Sequence, residues 1–453
     1  MSADLPLPVL RALAEASRHE DNNRLEEASL LFGQVAAAHP ERHDVTHQAG
    51  VVAAKRGCLL EAAAFIERAV AAAPELSPYR RTLGELYRRL MRLDEALVEA
   101  RLAVEFDRED PEARYNLGLV HYDRLEIDEA IAALRWALEL APGHAGAHFE
   151  LGECLLLRGQ YEEGWREFEW RFRLPGARRP VPPGTAPSWD GRPIQGPLLV
   201  MADQGFGDVI QFARYLPLAA ERCSQLLVIG SGPVRPFLES QPGVAQCADR
   251  WDALPAFAAH AVLSDLPRLF GTTLETVPAP IPYLRAEPGR AADWRARLDS
   301  RLDPVVKRVG LVWSGRVGFG GDQARALPFE ALAPLAAVEG LALVSLQMGP
   351  AREAIARYAG AAPLVDLGAD IRDFYDTLAI VDGLDHLVSV DTGVAHLGGA
   401  MGKAVSILLR YAPDWRWGLG RSESPWYPTA RLHRQAAPGD WSAPIQAVAA
   451  RLA

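Results

Sequence analysis

Cysteine is scarce in this 453-residue chain, with Cys58, Cys154, Cys223 and Cys247 the whole set. They lie far apart and fit no zinc-ligand spacing, so free thiols in a reducing compartment, the cytoplasm, are expected. Long apolar runs are missing too. No stretch of about 18 uncharged apolar residues occurs, so no membrane-spanning helix is expected. The first residues, "MSADLPLPVLRALAEASRHE", hold no basic segment followed by an apolar one, and no signal peptide is expected. Positive charge is not in excess: 48 Lys and Arg stand against 58 Asp and Glu, a net charge of −10. That argues against broad binding to nucleic acid or anionic membranes. Finally, no Asp-x-Asp triplet occurs, so a metal-dependent grip on a phosphate is not suggested and no metal or resident cofactor is expected. The remainder is ordinary for a soluble globular protein, 49% hydrophobic and 23% charged, and long enough for two or three domains.

The first third has an internal period of 34 residues. Pro40, Pro74 and Pro142 fall on one grid, with Arg108 in the vacant slot and Pro111 just after it. Gly50, Gly84, Gly118 and Gly152 share the period, as do Ala28, Ala62, Ala96 and Ala130, followed by Gly164. A glutamate precedes each member of this last column, at 27, 61, 95, 129 and 163. Small residues at fixed spacing let two antiparallel helices cross closely, and the proline ends one unit and starts the next. The segment "YNLGLVHYDRLEIDEAIAALRWALELAP" (115–142) is the cleanest copy. It resembles the tetratricopeptide repeat. About five units are expected over 6–172, the first and last degenerate as end caps. Such an α-helical solenoid presents a concave surface, expected to bind a protein or peptide partner; a purely structural or self-associating role, giving a homo-oligomer, is the other reading.

Between 173 and 194, prolines and glycines break any period ("LPGARRPVPPGTAPSWDGRPIQG", 174–196), which marks a linker. "SWDG" within it is expected to pin it down through Trp189. Short apolar runs then alternate with helical patterns: "PLLVMA" and "QLLVIG" as strands with the helix "DVIQFARYLPLAAER" between them, and later "RVGLVWSG", "LALVSLQ", "HLVSVD" and "AVSILL". Alternation of this kind implies βαβ units and parallel sheets. Two doubly wound halves are expected, 195–302 and 303–453, with the pattern weak from Asp249 to Asp303. Ligands in such folds bind at the carboxyl ends of strands, here in the cleft between the halves.

Three segments carry candidate chemistry. In "VSVDTGVAHLGGAMG" (388–402) a buried strand ends in Asp391, and Thr392 and Gly393 open a helix whose free N–H groups and positive dipole end suit an anion. His396 lies on the same helical side. An N-cap with a core histidine explains these residues equally well. In "WSGRVGFGGDQARALP" (313–328) Arg316 and Arg325 are within reach of a diphosphate, or are solvated loop arginines. In "MADQGFGDVIQFAR" (201–214) Gly205 and Gly207 let the chain approach a ligand, and Asp208 either caps the helix or acts as a general base.

Taken with "RALP", "DFYDTLAIVDGLD" and "YAPDWRWGLGRSESPWYP", these motifs resemble the heptosyltransferase-like glycosyltransferases of family nine, and the whole chain resembles bacterial proteins joining a tetratricopeptide array to such a domain. The resemblance implies the GT-B fold, two Rossmann-like halves, and inverting transfer of a sugar from a nucleotide-sugar. It assigns the base to Asp208 and the diphosphate grip to Asp391, Gly393 and His396, with Arg325 where the family often has lysine; Thr392, at the helix start, is expected to join that grip. The N-terminal half would take the acceptor and the C-terminal half the donor. Gln204, Gly205, Gly207, Gln211, Arg316 and Trp415 become donor or acceptor contacts, although Trp415 and Trp417 suit structural packing as well.

The repeat array then suggests a protein acceptor whose Ser or Thr hydroxyl enters the cleft. Two competing expectations stand beside it: a non-catalytic adaptor with a degenerate transferase domain, and a transferase acting on a glycan or lipid-linked acceptor.

Overall fold

The computed structural model describes residues 6–278, 280–315 and 325–453. The chain divides into two compact units, Met1–Cys154 and Leu155–Ala453.

The first unit is helical. Four antiparallel pairs follow one another: Leu7–Asp21 with Leu25–Ala38, His43–Lys55 with Leu59–Ala72, Ser77–Arg89 with Leu93–Phe106, and Pro111–Asp123 with Ile127–Leu140. The periodic small residues sit at the crossings. Ala28, Ala62, Ala96 and Ala130 are fully buried. A Cβ added at Gly50 would lie 2.5 Å from Ile66 Cδ1, and one at Gly118 2.8 Å from Leu134 Cγ. Asp110 caps the helix that Pro111 opens, its carboxylate accepting from the Glu112 N–H at 2.9 Å.

Another column with the same period links the two helices of each unit. Asn23, Gly57, Met91, Leu125 and Gly159 all have left-handed backbone, with φ between 56° and 87°. The chain reverses there within a few residues, and only that conformation turns it so sharply.

The second unit holds two parallel sheets. One has the order β3-β2-β1-β4, from β1 (Pro197–Met201), β2 (Gln225–Ile229), β3 (Val244–Ala248) and β4 (Ala259–Val262). The other has the order β10-β9-β8-β5-β6-β7, from β5 (Lys307–Val312), β6 (Leu341–Ser345), β7 (Leu364–Asp366), β8 (His386–Val390), β9 (Val405–Leu409) and β10 (Ala430–Arg434). Strands β6, β8 and β9 are buried at every residue, as expected for parallel strands covered on both faces.

The helix expected over "DVIQFARYLPLAAER" is interrupted. It runs Phe206–Phe212, tightens into a 3-10 turn at Ala213–Tyr215 and resumes at Leu216–Ala220. Pro217 has no N–H to offer the Ala213 carbonyl, so the regular ladder stops there. Trp189 does anchor the segment before β1: it is buried, its indole N–H donates to the Arg192 carbonyl at 2.7 Å, and its backbone N–H donates to His260 of β4.

The helix Tyr161–Phe168 and the 3-10 segment Glu169–Arg173 pack within this second unit. Trp165 donates to the Thr272 carbonyl at 2.9 Å, and its ring meets Trp415 at 5.1 Å. Arg171, buried, bonds Ser264 and Asp265, each at 2.6 Å. One short helical segment thereby touches residues that follow β4 and residues that follow β9.

Candidate functional site

The site is assembled from the loops at the carboxyl ends of β1 and β8. After β1 the chain crosses Ala202–Gly205 and enters the helix Phe206–Phe212, placing Asp208 in its first turn, where a carboxylate is favoured by the helix dipole. The loop is held by Asp203, whose Oδ1 accepts from the Ser264 N–H at 3.0 Å and whose Oδ2 accepts from the Ser264 hydroxyl. After β8, Asp391 and Thr392 lead into the helix Gly393–Ala400. Thr392 is at the N-cap but makes no side-chain capping bond; its hydroxyl pairs with that of Ser389 at 2.9 Å instead.

These two helix starts meet. A Cβ at Gly207 would sit 2.9 Å from His396 Cδ2, and one at Gly393 would sit 3.7 Å from the Gly207 amide nitrogen. Gly207 therefore serves close approach of the two elements, and its backbone φ is not what requires a glycine. His396 lies 3.8 Å from Asp391 Oδ1 through Nε2, and its Nδ1 hydrogen-bonds the Tyr427 hydroxyl at 2.9 Å. Its ring packs beside Trp417, 5.2 Å between centroids.

Arg416 joins the two sides, and sequence reasoning missed it. Its Nη2 donates to Asp208 Oδ1 at 2.5 Å, Nη1 to Asp414 Oδ2 at 2.7 Å and Nε to Gln211 Oε1 at 2.7 Å. Asp414 also caps the short 3-10 turn Trp415–Trp417 by accepting from the Arg416 N–H, which fixes where the guanidinium starts. Gln211 is fully buried, and its side-chain amide N–H has no partner among the described residues. The signal for Arg416 in the sequence was its position inside the tryptophan-rich segment, where attention goes to the rings.

Burial sets the protonation behaviour. It pushes the Asp208 carboxyl above the usual carboxylate range, against the opposing pull of Arg416. Burial and the neighbouring Asp414 do the same to Asp391. Burial, with the cations Arg416, Arg214 and Arg325, holds His396 well below its ordinary value, so its imidazole is neutral at neutral pH.

Of the remaining expected residues, Arg325 is half-buried and its charge bears on both Asp391 and His396. Gln204 and Gly205 are exposed at the loop. Trp415 takes the packing role: it is 1% exposed, enclosed by Trp165, Phe168 and Trp426, with no free face for a base or sugar. Arg316 lies outside the described residues.

A cavity of about 550 Å³ opens beside this site at the carboxyl ends of β5, β6 and β8. Its walls include Phe206, Ser314, Gln347, Phe374 and Thr392. Gln347, buried and also missed in the sequence, shapes one wall: its Oε1 accepts from the Trp313 and Ser314 N–H groups at 3.0 and 2.9 Å, and its amide donates to the Ser314 and Met348 carbonyls.

Comparison with known proteins reaches part of the chain. Protein FlbA of Caulobacter vibrioides is 29% identical over 328 residues, covering 66% of this chain and 53% of that protein. The chain thus spans about half the length of the curated relative it matches. Among solved structures, the MamA protein aligns with 18% identity over 38% of this chain and 98% of its own, at a TM-score of 0.33. YrrB, described as a TPR protein with an unusual peptide-binding site, aligns with 23% identity over 36% of this chain and 86% of its own, at a TM-score of 0.31. The tetratricopeptide repeat model matches residues 13–77 and 115–165, and the N-terminal region of the chain is built of such repeats.

Proposed function

We propose that the second unit is a GT-B glycosyltransferase that moves a sugar, with inversion, from a nucleotide-sugar to a hydroxyl of a protein recruited by the repeats. The observation that carries this reading is the meeting of Asp208, from the loop after β1, with Asp391 and His396, from the loop after β8. Two separate sheets contribute one carboxylate base and one anion-binding helix start to the same place.

The acceptor oxygen attacks the anomeric carbon, its proton passes to Asp208, and the bond from that carbon to the diphosphate breaks. The nucleoside diphosphate takes the electron pair. Burial raises the Asp208 carboxyl, which favours its taking up a proton. The leaving charge is met by the Thr392–Gly393 backbone, Arg325 and neutral His396, whose Nδ1 is taken up by the Tyr427 hydroxyl. The cavity beside Phe206 and Thr392 has the size of a nucleotide site and lies where parallel α/β sheets bind ligands. Metal independence belongs to this reading and rests on these countercharges and on the missing Asp-x-Asp triplet.

The test is a panel of nucleotide-sugars, with thermal shift for binding and release of free nucleotide for turnover. One donor is expected to stabilise the protein and to be consumed. Asp208→Asn should lower turnover about 10²- to 10⁴-fold and leave nucleotide affinity in place. Wild-type protein that binds donors without ever turning them over would favour the adaptor, and no response to any donor would sink the transferase.

A further inference from the structure

We infer that the helical segment 161–173, whose sequence continues the repeats, positions Asp208 from two directions, with Arg171 and Trp165 as the positioning residues. The role of Asp208 as base rests on the transferase reading. Glu163 and Gly164 keep the 34-residue period, and the repeat model reaches residue 165. The simple role for such a segment is an end cap that covers apolar surface. A cap needs no buried cation, and an arginine taken out of water is costly unless it is paired.

Arg171 is 7% exposed. Its Nη1 closes on its own turn, donating to the Phe168 carbonyl at 3.0 Å, and its Nη2 donates to Ser264 Oγ and Asp265 Oδ1. A guanidinium can only donate, so the Ser264 oxygen accepts from it and the single hydroxyl proton is directed elsewhere. That proton goes to Asp203 Oδ2, while the Ser264 N–H holds Oδ1 at 3.0 Å. Burial pushes the Asp203 carboxyl up, and Ser264 and Arg171 pull it back towards the ionised form that accepts both bonds. Asp203 lies in the turn between β1 and the helix that carries Asp208. Through one hydroxyl, Arg171 therefore holds the loop from which that helix starts.

The second route runs through rings. The Trp165 indole N–H donates to the Thr272 carbonyl at 2.9 Å, which sets the ring edge-on to Trp415 at 5.1 Å. Phe168 meets the same ring at 6.1 Å. Arg416 follows Trp415 in sequence, lies over its ring at 4.7 Å and holds Asp208 at 2.5 Å. The first route sets where the Asp208 helix begins, and the second sets what its carboxylate meets.

The test is hydrogen exchange over residues 201–214 of the full chain, read by mass spectrometry. Ser264→Ala cuts the first route and leaves the Arg171–Asp265 pair in place; it should speed exchange there about tenfold. Arg171→Met should do at least as much, and Ser264→Ala carries the test where Arg171→Met fails to fold. Trp189→Phe, which removes a buried indole bond on neither route, should leave the segment unchanged. With the nucleotide-sugar that the wild-type protein consumes, Ser264→Ala should lower kcat about tenfold and keep KM within about twofold, because it displaces the base and not the donor. Trp165→Phe should lower kcat by less. Unchanged exchange in both Ser264→Ala and Arg171→Met would overturn the inference, as would an equal rise in Trp189→Phe, which means general softening. A raised KM with kcat intact would overturn it too. If the wild-type protein consumes no donor, the transferase reading fails, and the exchange alone decides the positioning.

Discussion

Arg88 in the repeats and Arg416 in the α/β unit do the same chemistry over very different stretches of chain. Each guanidinium bridges two carboxylates. Arg88 pairs with Glu85 at 2.7 Å and Asp123 at 2.6 Å, one on its own helix and one a repeat further on. Arg416 pairs with Asp414 at 2.7 Å and with Asp208 at 2.5 Å, the latter 208 positions away. Contacts in the array stay between neighbours, so its stability is close to a sum of similar local contributions. The candidate site exists only when both sheets are in place. Arg416→Met strips two half-buried carboxylates and Gln211 of their partner and should cost about 3 kcal/mol, the lower end for a broken buried pair because the carboxylates keep some solvent. Arg88→Met should cost about 1 kcal/mol, as partly exposed pairs do. Urea unfolding reports both, with circular dichroism following the helices and tryptophan fluorescence following the α/β unit, since Trp136 is the one tryptophan before residue 154. Equal costs would break the comparison.

Histidines sharpen it. His47 of the array and His386 of β8 are both pulled down to about 4, in each case chiefly by burial and then by nearby cations: Arg81 for His47, and Arg451, Lys307 and His433 for His386. Their folded-state pKa values lie below the unfolded value near 6.5, so the stability they contribute is fully present above pH 6.5. It is lost as pH falls from there towards 4, because the unfolded chain then takes up protons that the folded one refuses. His386 is 5% exposed and bonds the Ser406 hydroxyl of β9 at 2.9 Å, between two central strands. Its share should approach about 2 kcal/mol at pH 4, allowing for residual solvent access. His433, also lowered, acts in the same direction, and the raised carboxyls of Asp208 and Asp391 act in the opposite one. These are common to wild type and His386→Gln, so the difference between their stability profiles from pH 6.5 to 4 isolates His386. His47 is half-buried and stacks on Tyr79 at 4.3 Å; His47→Gln should flatten the array's profile by less. A larger change at His47 would reverse the comparison.

What the sequence disclosed followed the same division. In the array, packing repeats, so each crossing glycine and alanine appears several times and the period is plain. In the sheets, β1, β2, β5, β6, β8 and β9 are readable as apolar runs because central parallel strands are buried on both faces. The four strands that escaped notice, β3, β4, β7 and β10, are the four at sheet edges. They are short or half-exposed; β3 exposes Ala245 and Gln246, and every residue of β7 is partly exposed. Within the site, Asp208, Asp391, Gly393 and His396 were legible because each belongs to a local strand–turn–helix pattern. Arg416 was not, because nothing near it in sequence shows that its guanidinium reaches a helix 208 positions earlier.

The smallest effect asks how interchangeable the repeats are. The turn between paired helices needs left-handed backbone at 23, 57, 91, 125 and 159, yet only 57 and 159 are glycine. Met91 holds φ at 59° and its side chain is 48% exposed, so packing returns little for the strain. A non-glycine residue in this region costs about 1–2 kcal/mol. A glycine there restores about 0.5–1 kcal/mol of that cost to the unfolded chain as entropy. Met91→Gly should therefore stabilise the array by about 0.5 kcal/mol. Gly57→Ala is the mirror experiment. A Cβ there meets nothing within 4 Å, so any loss is backbone strain alone, and about 1 kcal/mol is expected. Opposite signs at the two positions, read as midpoint shifts in urea, would show that one backbone demand recurs in every unit and that the residue filling it sets each unit's stability. A gain at both would mean that the turn in the second unit is governed by contacts the third does not share.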